Sequence, residues 1–300
     1  MSLNITPAEP SSQPEVIVKL QEHGAQLVAL VDEPHVMSRP FFEVILRFIA
    51  KTMTIVGLEV HKLRHDFTEL ITRAIQPALW LLIFGEVFTQ VRVIPTGDLR
   101  YIDFMAPGIL AQSVLFIAIF YGIAIIWERD LGILHKFLVS PTPRTALVLG
   151  KALSAGVRGV TQAIIIYILS LMLGVEIQWN FFALFGVLTM VILGSALFST
   201  FSLIIACIVK TRERFMGIGQ ILTMPLFFAS NAIYPITIMP SWLRIVARVN
   251  PLTYEVDALR TLMLQGGISV YGLPADFGIV LAATTALVII GGWIYPNVVK

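Results

Sequence analysis

The chain has 300 residues, of which 57% are hydrophobic and 13% charged, with a mean hydropathy of +0.84. Soluble domains carry about a quarter charged residues, so this chain lacks the polar surface to cover a water-soluble body and reads as an all-α integral membrane protein, which sets aside cytosolic enzymes, secreted disulfide scaffolds and nucleic-acid binders. A net charge of +2 is too small for a phosphate-binding surface, and the single cysteine, Cys207, sits in an apolar run as a packing residue.

Residues 1–40 form a polar, proline-containing tail (TPAEPSSQPE) expected in the cytoplasm, with no secretory signal pattern. Residues 41–73 differ. Val60, Leu63, Phe67 and Leu70 recur at helical spacing, and Glu59, Lys62, Asp66, Glu69 and Arg73 recur on another face. That pattern predicts an amphipathic helix lying in the membrane interface and leading into the first span. Residues 74–300 then form the membrane domain.

Six stretches reach the length of about 20 apolar residues that a hydrocarbon core of about 30 Å demands. They fall near 74–94, 105–127, 157–175, 181–209, 216–238 and 277–297. The second is free of charge from Met105 to Trp127, the first contains Pro77 and Glu86, and the fifth carries Pro225 and Pro235, which predicts a kink or a partly re-entrant path. With the N-terminus inside, 15 of the basic residues from Arg39 onward fall on the cytoplasmic side and 5 outside, which orients both termini toward the cytoplasm. The bias is weakest at 239–276; were the fifth stretch not to cross, that segment would be cytoplasmic and the C-terminus external.

Two connections exceed simple turns. Residues 128–156 read as a short helix, a break at Pro141 and Pro143, and a second helix start. In 239–276, Trp242, Leu243, Ile245 and Val246 interleave with Arg244 and Arg248 as in an interfacial helix, and Asn250-Pro251 breaks the chain and can open another.

No energy source is visible in the chain. The nearest approach to a phosphate-cradling loop, around Gly150-Lys151, has Thr145 where the first glycine belongs and Ala152 where a hydroxyl belongs. Glu86 is the one ionisable candidate for an ion-coupling relay, near the end of span one, while Arg158 and Glu176 read as span-end groups. His61 and His65 share a helix face without an evident third metal ligand, and neither a nucleophile elbow nor an intramembrane H-E-x-x-H is present.

Two segments carry a family resemblance. The first runs Glu128-Arg129-Asp130-Leu131-Gly132-Ile133-Leu134 and on to Ser140-Pro141-Thr142-Pro143-Arg144; the second is Asn250-Pro251-Leu252-Thr253-Tyr254-Glu255-Val256-Asp257-Ala258-Leu259-Arg260. In this order among six spans, the chain resembles the membrane subunit of type 2 ATP-binding-cassette (ABC) exporters over residues 41–300, and most closely the daunorubicin-resistance type. The resemblance implies six transmembrane helices, with a re-entrant external hairpin around Asn250, Pro251, Tyr254 and Arg260 before the last span. It implies docking of a separate ATPase subunit, carrying ATP and magnesium, on the 41–73 helix and on Glu128, Arg129, Asp130, Gly132, Leu134, Lys136, Leu138, Pro141, Pro143 and Arg144. It further implies a second permease copy, with a path between the copies lined by Gln112, Ser113, Tyr121, Thr223, Phe227, Phe228, Ser230 and Asn231. The function expected is ATP-driven export of an amphipathic drug-like molecule or lipid across a prokaryotic plasma membrane by alternating access. A polysaccharide or glycolipid exporter is the alternative within the class, and an ATPase-independent channel or secondary carrier the alternative outside it.

Overall fold

The computed structural model describes residues 49–50, 52–54, 57, 72, 75–91, 94–97, 99–131, 144–209 and 211–295. Among them the apolar runs become helices, because a backbone in lipid has no water to satisfy its polar groups. Helix α1 (Ile75–Val91) carries Pro77. Its middle, Trp80–Gly85, winds as a π-helix, and Trp80 stacks on Phe84 at 4.4 Å. Helix α2 (Tyr101–Asp130) has 30 residues, about 45 Å at 1.5 Å per residue. Helix α3 is Arg144–Met172, and α4 is Phe181–Ile208, capped by the Asn180 side chain accepting from the Phe182 N–H at 3.1 Å.

Helix α5 (Arg212–Phe228) has 17 residues with Pro225 inside, and Thr211 caps it. It ends well before residue 238, where the apolar stretch had predicted the end of a span; turns over 229–234 and a 3₁₀ turn at Ile236–Ile238 replace the last part. Pro225 accounts for this, since it removes one ladder hydrogen bond close to the helix end. Helices α6 (Ser241–Val249) and α7 (Pro251–Met263) follow, then α8 (Leu273–Ile294). Asn250-Pro251 divides α6 from α7, with Pro251 at the first helical position.

Among the described residues four helices, α2, α3, α4 and α8, are long and apolar enough to cross a membrane; the described part of α1, and α5, are shorter. The expected third span, 157–175, is corrected at its start: α3 begins at Arg144, so residues 144–156 belong to a helix. The two charges that had marked this stretch as a connection, Lys151 and Arg158, are held by α2, as described below.

Helix α2 is the most enclosed of the long helices. Helix α4 packs along both α2 and α3, while α7 and α8 pack on one another and on α4. Gly108 lets the 229–234 turns lie directly on α2: a Cβ there would overlap the carbonyl of Ala232. One short bridge adds to the packing, pairing Ile177 with Leu264, with Gln178 N–H donating to Met263 O at 2.8 Å and Gln265 N–H to Glu176 O at 3.0 Å. It fastens the α3–α4 connection to the end of α7.

Candidate functional site

The bundle has two chemically distinct ends. At one, α2 finishes, α3 starts, α4 finishes and α5 starts. Glu128 and Lys151 form an ion pair of 2.5 Å there with both side chains buried. Such a pair is favourable only when the geometry is close and both partners are present. One turn on, Asp130 accepts from Arg212 at 2.9 Å, and the Arg212 guanidinium lies over the Trp127 ring at 3.4 Å. Arg129 donates to Val209 O at 3.5 Å. Thus the last turn of α2 is tied to α3 by a buried charge pair and to the α4–α5 junction by exposed ones. Of the residues expected to couple to an ATPase, Glu128, Arg129 and Asp130 stand together here, and Arg144 opens α3. Gly132, Leu134, Lys136, Leu138, Pro141 and Pro143 lie outside the described residues, as do Glu59, Lys62, Asp66, Glu69 and Arg73 of the interface helix.

The polar contact between α2 and α3 continues inward. The Tyr121 hydroxyl meets Ser154 Oγ at 3.1 Å, and the Arg158 guanidinium lies 5.1 Å from the Tyr121 ring centre. Arg158 therefore sits midway along α3. Sequence reasoning missed this seam because hydropathy places boundaries at charges; the spacing Lys151, Ser154, Arg158 at three and four residues was the signal that one helix face carries all three.

The residues expected to line a path separate into four places. Gln112 and Ser113 line a groove of about 230 Å³ with Gln76, Phe116 and Phe120, and the buried Gln112 Oε1 has no hydrogen-bond partner there. Tyr121 belongs to the α2–α3 seam. Thr223 bonds back to Gly219 O at 2.5 Å, Phe227 is buried edge-on to Trp80, Phe228 is exposed, and the Ser230 hydroxyl closes the turn on Phe227 O at 2.7 Å. Asn231 lies in a separate cleft at the other end.

That other end is built around Asn250 and α7. The Asn250 Oδ1 accepts from Leu252 N–H at 3.1 Å, capping α7, while its Nδ2 donates to Leu226 O at 2.7 Å and Ala229 O at 3.2 Å. These are carbonyls at the end of α5 that the interrupted helix leaves without intrahelical partners. The Tyr254 hydroxyl donates to Arg248 O at 2.6 Å, holding the end of α6. Arg260 is buried; it donates to Asn231 O at 2.7 Å and Phe104 O at 3.3 Å, and stacks on the Phe104 ring at 3.8 Å. Asn250, Pro251, Tyr254 and Arg260 thus join α5, α6, α7 and the start of α2. At the rim, Arg100 forks onto Asp103 with two bonds of 2.8 Å, which raise its pKa against the lowering effect of burial.

Glu255 was not singled out by its sequence context. It is fully buried, neither carboxyl oxygen has a hydrogen-bond partner, and the group fills the notch left by Gly194 on α4. Nothing local to α7 announces this, since the notch comes from a distant helix.

Beside these contacts opens a cleft of about 850 Å³, bounded by the 95–99 connection, the start of α2, the 231–237 turns, α6, α7 and the 265–271 loop. Burial raises the pKa of Tyr271 on its wall, so that hydroxyl stays neutral.

Long apolar helices, a charge-knit end and a polar cleft at the other define a helical membrane protein. A model of the ABC-2 type transporter family matches residues 52–264, and the chain belongs to that family. It is similar to a transport permease, ycf38, of Cyanophora paradoxa, at 30% identity over 223 residues covering 72% of this chain and 74% of that protein. It is similar also to the daunorubicin resistance ABC transporter permease protein DrrB1 of Streptomyces coeruleorubidus, at 25% identity over 240 residues covering 80% and 82%. The inner membrane transport permease YadH of Escherichia coli K12 aligns at 26% identity over 242 residues, covering 77% and 89%.

Proposed function

We propose that this chain is the membrane subunit of an ATP-driven exporter of amphipathic molecules, drug-like compounds or lipids, in a prokaryotic plasma membrane. ATP and magnesium belong to a separate ATPase subunit, because the chain has no phosphate-cradling motif of its own. Two copies of the permease pair, and the path runs between them. The α6–α7 end faces outward, and both termini lie in the cytoplasm.

The observation that carries this reading is the end of α2. Trp127, Asp130 and Arg212 join α2 to α5 where the chain enters the 132–143 segment, so a push delivered to the end of α2 would move both helices together. The course of α5 favours a fifth crossing beside the four long helices, and α1 is assigned the sixth. Helix α5 starts next to Asp130 at one end and finishes on Asn250 at the other, so it traverses the bundle despite its 17 residues.

The test is co-expression with the ATPase from the same operon and purification through a tag on this chain. A two-plus-two complex with ATP hydrolysis stimulated by an amphipathic compound is expected, and Asp130→Arg should reduce ATPase capture. A permease that purifies alone and conducts ions or solutes without ATP would overturn the proposal.

A further inference from the structure

The cleft between α6, α7 and the start of α2 presents buried hydrogen-bonding groups of both kinds without partners. Asp257 is fully buried; its Oδ2 accepts from Val270 N–H at 2.8 Å, Ser269 Oγ at 2.9 Å and Tyr271 N–H at 3.2 Å, while its Oδ1 accepts nothing. Asn231 is 2% exposed, and its Oδ1 is likewise unfilled. These are two acceptors fixed in place on the cleft lining. Opposite in character, Arg244 donates through Nη2 to Thr237 O and Met239 O but leaves a buried Nε–H unmade, and Arg248, exposed on the next turn of α6, makes no ion pair among the described residues. Arg260 is already engaged with two carbonyls and the Phe104 ring.

Buried polar groups are retained unsatisfied at a cost, and this set specifies what would satisfy it. The two acceptors require N–H or O–H donors; Asp257 and Asp276, which share the Ser269 hydroxyl, together with Glu176 at the rim outnumber the one buried cation beside Asp257, Arg260, and so ask for further positive charge. Arg244 and Arg248 require a negatively charged acceptor. An anion alone would face two carboxylates, and a cation alone would face the arginines. Ile268 and Val270, strongly exposed on the same lining, offer an apolar strip next to the charges.

We propose that this cleft binds a zwitterionic phosphate–primary-ammonium headgroup, the ammonium on Asp257 and Asn231 and the phosphate on Arg244 and Arg248, with membrane lipid as its source. This goes beyond the export reading and does not depend on it, since binding requires neither ATPase nor nucleotide.

The test is native mass spectrometry of the full chain in detergent, titrated separately with phosphatidylethanolamine, phosphatidylcholine and phosphatidylglycerol. Phosphatidylethanolamine should be retained at least about tenfold more tightly than the other two, because one lacks N–H donors and the other lacks the positive charge. Asn231→Leu and Asp257→Asn should each remove the preference over phosphatidylcholine. Arg248→Gln, on an exposed side chain that folding does not need, should weaken phosphatidylethanolamine by about tenfold. Soluble glycerophosphoethanolamine provides the second arm: failure to displace the lipid supports the membrane as source, and displacement at equal concentration overturns that part. Equal retention of all three lipids, or an unchanged preference in both Asn231→Leu and Asp257→Asn, overturns the site. So does unchanged phosphatidylethanolamine retention in Arg248→Gln.

Discussion

Asn250 performs two tasks with one side chain, and substitution can separate them. Its Oδ1 caps α7, and its Nδ2 fills Leu226 O and Ala229 O at the end of α5. Asn250→Ala removes all three bonds. The cap is worth about 1 kcal/mol, and each carbonyl left buried and unfilled about another 1 kcal/mol, so the loss should be about 3 kcal/mol, a hundredfold change in the folding equilibrium. Asn250→Ser retains a capping oxygen but cannot reach both carbonyls, and should lose about 2 kcal/mol of that total. The assay is thermal unfolding of the purified chain in one detergent, followed by amide exchange over residues 226–234. Both variants should lower the midpoint, alanine further, with exchange rising first at the end of α5. An Asn250→Ser chain as stable and as protected as the parent would refute the idea that this side chain joins α5 to α7.

The buried pair Glu128–Lys151 should behave asymmetrically. Lys151→Met alone takes the ammonium away from the buried Glu128 carboxylate and should cost about 3–5 kcal/mol, whereas Glu128→Leu with Lys151→Met should recover most of it; additive losses in thermal unfolding would count against the pair. Gly194→Ala drives a methyl into the Glu255 carboxyl and should destabilise by about 1–3 kcal/mol, with Glu255→Ala in the same chain relieving most of the loss. If the two substitutions add instead, the notch does not hold that carboxyl. A reporter fused after Lys300 should be active only on the cytoplasmic side, and external activity would reverse the proposed orientation.

The long helices were legible because lipid imposes a simple rule: charge-free runs of sufficient length become helices. Met105–Trp127 therefore located α2 within a few residues, and Asn250-Pro251 located the start of α7. A helix start after Pro143 was legible, but not that it runs unbroken into the stretch from 157. Lys151 looks like a water-facing charge until Glu128 is brought to it from another helix. The end of α5 was legible only as an interruption, since Pro225 marks where a ladder weakens without saying which side chain closes the gap. Function divided in the same way. Residues that cap or tie within one segment, such as Asn250 and Tyr254, stand out from their spacing. Glu255, Asn231 and Asp257 acquire meaning only from Gly194, Arg260 and the 269–271 loop, which are remote in the chain.

Helices α2 and α5 are fastened to each other at both extremities. Asp130 and Arg212 join them at one end; at the other, Arg260 bridges Phe104 to Asn231, and Tyr101 donates its hydroxyl to Ile233 O at 3.0 Å. A pair of rods held at two points forms a closed frame. It resists opening like scissors, because splaying at either end must break the fastening there, and Glu128–Lys151 and Tyr121–Ser154 clamp its α2 side to α3 as well. A displacement at Asp130 is therefore expected to reach the cleft as joint movement of α2 and α5 rather than as the bending of one helix.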